Sequence, residues 1–201
     1  LAADHITEMT IIFDDMGTFR FDPDTRKVKG YGTEIGAFVR LDDLDSGYAF
    51  QELDRSIFMN PDKINARLIT PVSTYDQIME GLEVDIFVYA NNYDAVNDDE
   101  SAIEIYHNIE DALPTFVEGK RMAKGTTSEK GLTTSFFANP FGPVQKEFDT
   151  TNLIEDYFKQ MFEDGVVIGS LRTQLGIQDQ AQEGPKQAAM DLFDLIKKLE
   201  K

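Results

Sequence analysis

The chain of 201 residues contains no cysteine. Disulfide scaffolds, thiol nucleophiles and cysteine-ligated metals are excluded together. Only two histidines are present, His5 and His107, far apart and outside any HExxH pair. The usual zinc arrangements are therefore missing, and no metal ligands are expected. Bases are scarce: 19 Lys and Arg face 37 Asp and Glu, a formal net charge of -18. Such a field repels nucleic acid and anionic membrane surfaces at long range, and it favours solubility. No apolar run approaches the roughly 18 residues that a bilayer span requires. No stretch has the layout of a signal peptide. Serine nucleophile elbows and Walker loops are absent too. What remains is 41% apolar residues, enough for a packed core.

Four short apolar runs punctuate the sequence: Met9–Phe13, Ile64–Ile69, Val84–Ala90 and Val166–Ile168. Each predicts a strand. Between them lie helical patterns. Tyr31–Leu41 places Ile35, Phe38, Val39 and Leu41 at helical spacing. Ser101–Leu113 does so after a candidate cap at Ser101, and Asn152 with Glu155 repeats a capping signal. Lys186–Lys201 follows Gly184-Pro185 and carries Ala189, Leu192, Phe193, Ile196 and Leu199 on one side. Phe19–Val28, with aromatic alternation around Asp22-Pro-Asp-Thr, predicts a β-hairpin. Asn60–Asp62 and Asn139–Pro143 predict loops. Strands alternating with helices indicate the α/β class.

Val72–Ala90 is the most informative stretch. Asp76 sits in a first helical turn, Ile78, Met79 and Leu82 make an apolar face, and Gly81 marks the stop. The strand after it is apolar on both faces, as in a covered parallel sheet. Asn91, Asn92 and Tyr93 then stand where α/β proteins bind ligands.

Met9–Phe13 is followed by an aromatic hairpin at Thr18–Phe21 and by the glycine-led segment Lys29–Phe38. Tyr75–Asp85, Glu118–Arg121, Gly125–Lys130 and Phe162–Ser170 come next. This order resembles the periplasmic solute-binding proteins of the amino-acid type, extracytoplasmic family 3. The resemblance implies a two-lobed α/β fold with a central mixed sheet in each lobe. Residues 1–89 plus 171–201 would form one lobe and 90–170 the other, with crossings just past Tyr89 and near Gly169. It also implies non-catalytic binding of a small polar solute in an interlobe cleft, with no cofactor. The partner would be a membrane transporter or receptor, and the location periplasmic or extracytoplasmic.

The candidate ligand contacts are then Asp14 after the first strand, Phe19 and Tyr75 as an aromatic wall, and Asn91 and Asn92 at a strand end. Thr126 and Thr127 would offer donors at a helix N-terminus, where free N–H groups favour anions. Ser170 occupies the place where the family carries an aspartate. Composition supports another reading, an acidic structural or interaction protein without a small-molecule ligand. Ile11–Asp15 has the strand-then-aspartate order of the haloacid-dehalogenase phosphatases, but Met16 stands where their general acid belongs.

Overall fold

The computed structural model describes residues 6, 8–14, 16–40, 57–59, 67–123, 130–136 and 147–199. The loops expected at Asn60–Asp62 and Asn139–Pro143, and the candidates Thr126 and Thr127, lie outside these residues. The chain is mixed α/β and divides into two compact units, Ala3–Val84 and Asp85–Lys201.

Among its described residues the N-terminal unit holds two antiparallel sheets. Strands β1 (Gly17–Phe21) and β2 (Val28–Gly32) form the expected hairpin, and β6 (Leu82–Glu83) pairs with the other side of β2. Asp22 sets the turn: its Oδ1 accepts from the Asp24 and Thr25 N–H groups at 3.0 and 2.9 Å. Its other oxygen meets the Lys29 ammonium at 2.9 Å, which holds the Asp22 carboxyl far below its ordinary pKa. The second sheet has the order β3 (Gly36–Arg40), β5 (Arg67–Pro71), β4 (Ile57–Met59). Helix α1 (Tyr75–Glu80) starts in a capping box between Thr74 and Gln77. It stops at Gly81, whose φ of 73° is open to glycine but strained for other residues.

The C-terminal unit is built on a mixed sheet of order β7-β11-β8. β11 (Val167–Arg172) runs parallel to β7 (Ile86–Asn91) and antiparallel to β8 (Ile103–Tyr106). Alternation along the strands gives the sheet two faces. Phe87 and Tyr89 meet Phe116 of α2 (Ile109–Glu118) at ring-centroid distances of 5.2 and 5.4 Å. Phe116 in turn meets Phe158 of α3 (Glu147–Glu163) at 5.0 Å. Each such ring pair contributes about 0.5–1.5 kcal/mol beyond the area buried. On the opposite face Leu171 and Ala102 pack with Ala188 of α4 (Glu183–Leu199). The small sheet of β9 (Lys120–Ala123) and β10 (Gly131–Thr134) completes the unit. No helix among the described residues is long and apolar enough to cross a membrane.

Several expectations are corrected. Met9–Phe13 is irregular rather than a strand; Phe13 packs edge-on against Phe19 at 6.1 Å instead of joining a ladder. Tyr31–Leu41 is not a helix: its residues finish β2 and form β3, where Ala37 and Phe38 pair with Thr70 and Ile69. Glycines at 32 and 36 weaken a helix, and Val39 suits a strand. Ser101 caps no helix. Its Oγ accepts from the Ile103 N–H at 3.2 Å, the period-two run Ile103–Tyr106 is β8, and the helix begins after Asn108. Asn152 lies inside α3, which starts at Glu147.

The lobe boundaries differ as well. Residues 90–170 and 171–201 share one unit, because β11 pairs with both β7 and β8 while α4 packs on its Leu171. The crossings expected near Tyr89 and Gly169 are neighbouring strands of that one sheet.

Gly169 lies at a close approach of β11 and β8, since a Cβ there would run into the Glu104 carbonyl oxygen. Gly169→Ala should cost about 1–3 kcal/mol in chemical denaturation. Gly30→Ala, whose methyl would meet the Phe13 and Phe19 rings at an ordinary 3.5 Å, should be near neutral by the same measurement.

Candidate functional site

The parallel pairing of β7 and β11 sets their carboxyl ends side by side, with Arg172 opposite Asn91. In α/β sheets this is where ligands collect. Here the polar groups turn inward. Asn91 is 5% exposed; its Oδ1 accepts from the Tyr93 and Asp94 N–H groups at 3.0 Å and its Nδ2 donates to Asp94 at 2.8 Å. Asn92 clamps the backbone of Met122, donating to its carbonyl at 2.9 Å and accepting from its N–H at 2.8 Å. Gln174, left-handed at φ 55°, accepts from the Val96 N–H at 3.1 Å.

Arg172 gathers the loop from the other side. Its guanidinium donates to the Ala95 and Ser101 carbonyls at 3.2 and 2.6 Å and to Glu100 at 3.0 Å. Asn97 and then Arg172, both bonded to the Glu100 carboxylate, hold its pKa below the ordinary value. The Arg172 Nε is buried and meets no acceptor among the described residues. Asp191 of α4 completes the arrangement by accepting from the Ala102 N–H at 2.6 Å. The chemistry of this cluster is positional. Amides and a guanidinium hold backbone segments that lie far away in sequence.

A different feature lies on the helical face. Helices α2 and α3 border an open groove of about 530 Å³. Ile109, Leu113 and Val117, each half-buried, line it from α2, and Thr151, Glu155 and Lys159 face them from α3. Both rows run at i, i+4, i+8, so each is a straight stripe along its helix. Glu110 and Pro114 stand at the same margin. Pro114 has no N–H, so the Glu110 carbonyl receives no helical bond from it. Among the described residues no three His, Asp or Glu gather to hold a metal ion.

The residues singled out from sequence fall in both units. Asp14 is exposed and its Oδ2 accepts from the Phe38 N–H at 2.7 Å, tying the irregular N-terminal segment to β3. Phe19 is half-buried in β1, whereas Tyr75 opens α1 with 67% exposure. These three belong to the N-terminal unit; Asn91, Asn92 and Ser170 belong to the C-terminal one. Ser170 does not end its strand. It registers with Tyr89 in the middle of the sheet and is 3% exposed, because β11 continues to Arg172. Sequence reasoning missed Arg172, Gln174 and Asp191. Their partners are 70 to 90 positions away, beyond any local pattern. The expected helix, Ser101–Leu113, reached Ile109 and Leu113 but not Val117, so the Ile109/Leu113/Val117 stripe went unread as well.

Two outcomes follow. Arg172→Lys should destabilise the unit by about 1–3 kcal/mol, because one ammonium cannot span three acceptors set in a fork. Tyr89 donates its hydroxyl to the Lys120 carbonyl at 2.6 Å, and burial pushes its pKa up to about 12. The fold thus holds the neutral phenol, and stability should fall as pH rises from about 10 to about 12. Tyr89→Phe should flatten that alkaline limb in pH-dependent melting. Set against known proteins, the chain matches no family model, no curated protein and no solved structure.

Proposed function

We propose that this chain acts by binding another macromolecule, as an acidic interaction protein without a catalytic role. One observation carries the reading: the polar side chains at the carboxyl ends of β7 and β11 hydrogen-bond to their own unit. Asn91, Asn92, Gln174 and Arg172 hold loops there. Among the described residues, an open surface of that unit is the α2–α3 groove, one wall of which is apolar. An apolar groove with a charged margin suits a protein segment better than a small polar solute.

A second reading is favoured by a specific feature. The side-by-side strand ends at Asn91 and Arg172, with the Arg172 Nε lacking an acceptor among the described residues, fit a small anionic solute. This reading goes with the two-lobed periplasmic-binding-protein-like fold, with a transporter or receptor as partner and with an extracytoplasmic location.

Melting in the presence of amino acids, polyamines and organic acids separates the two. A bound solute at about a hundredfold excess over its dissociation constant adds about 2.7 kcal/mol. The interaction reading expects no saturable rise in Tm from any of them. A saturable rise that is lost in Arg172→Lys, relative to that variant's own baseline, would establish the solute reading and end the first.

A further inference from the structure

We propose that the α2–α3 groove receives the apolar face of a basic amphipathic helix supplied by a partner polypeptide. The inference rests on the interaction reading above and names the surface and the chemistry of the partner. Ile109 to Val117 covers eight residue-to-residue steps of helix, about 12 Å at 1.5 Å per step. That length matches two turns of a partner helix with apolar residues at i, i+3 or i+4, and i+7.

Charge then selects the partner. The described side chains of α2 and α3 include the carboxylates Glu110, Asp111, Glu118, Glu155, Asp156 and Glu163. Their one ammonium is Lys159, and it lies 3.8 and 3.9 Å from Glu155 and Asp156, so its field is largely met within α3. Neither helix has a basic residue in its last turn to offset the negative end of its dipole. At the groove margin Pro114 has no N–H to donate to the Glu110 carbonyl, which in this proposal accepts from a lysine or arginine of the partner. A second copy of this chain, at -18, meets electrostatic opposition that a cationic helix does not.

The test uses the full chain and a fluorescent synthetic peptide of about 18 residues, with leucines on one helical face and lysines on the rest. Anisotropy should show saturable one-to-one binding. Glu110→Lys combined with Glu155→Lys should weaken it about tenfold or more, and Leu113→Ser should weaken it as well. Asp98→Lys combined with Asp99→Lys changes net charge equally in an exposed loop, and should weaken it less than about twofold. Far-UV circular dichroism checks that each variant folds.

Equal loss in both charge-reversed pairs would reduce the effect to general attraction and overturn the proposal. So would undiminished binding of a peptide whose leucines are replaced by serine, or no saturation up to about 1 mM. Sedimentation showing a dimer that Leu113→Ser abolishes would assign the groove to a second copy and also overturn it. These failures sink the groove alone, whereas a solute-dependent rise in Tm would sink the interaction reading itself.

Discussion

The C-terminal unit depends on one pairing, that of β11 with β7. Two parallel strands about 80 residues apart meet residue for residue from Ile86 and Val167 to Asn91 and Arg172. β8 then joins the far side of β11, and the close approach there leaves no room for a side chain at position 169. The three described helices of the unit are hung on this frame. The aromatic cluster of Phe87, Phe116 and Phe158 attaches two helices to one face, and Leu171 with Ala188 attaches the third to the other. Burying a phenylalanine contributes about 1.5–3 kcal/mol. A few ring contacts thus match the whole net stability of an ordinary domain, and most of that gain offsets chain entropy.

Polar chemistry at the strand ends serves the same frame. Side chains that could greet a ligand instead replace hydrogen bonds that the irregular loops cannot make for themselves. Asn92 acts on Met122 as a neighbouring strand would, with one donor and one acceptor. Arg172 and Asp191 fix the segment leading into β8 from two directions. Loops so tied are costly to rearrange, because each buried donor or acceptor left without a partner costs about 1–3 kcal/mol. The proposed recognition would use a surface that exists before a partner arrives, the α2–α3 groove.

The parts of the fold that were legible in the sequence were those whose signals are local. Asp22 with its turn, Gly81 as a stop and the apolar run into Asn91 all announced their elements correctly. So did Gly184-Pro185 at the start of α4. Errors arose where a short apolar run fits both periods. Ile103-Glu-Ile-Tyr106 reads as one turn of an amphipathic helix or as a strand, and pairing with β11 decides for the strand. Tyr31–Leu41 failed in the same way, since its ladder with β5 is a long-range contact. The candidate site suffered more. Asn91 and Asn92 were found because they follow a strand, but their roles depend on Asp94 and on the distant Met122. Ser170 was chosen from the family resemblance, and its place in mid-strand follows from the long-range pairing of β11 with β7.

The order of strands along the chain also governs how the protein emerges from a ribosome. Residues 3–84 form a compact unit of their own. β7 and β8 are not neighbours and must both wait for β11, which is translated last of the three. At synthesis rates of roughly 5–20 residues per second that wait lasts roughly 4–16 seconds. Throughout it, Phe87 and Tyr89 stay outside their finished core, and nascent-chain chaperones have their longest opportunity to act.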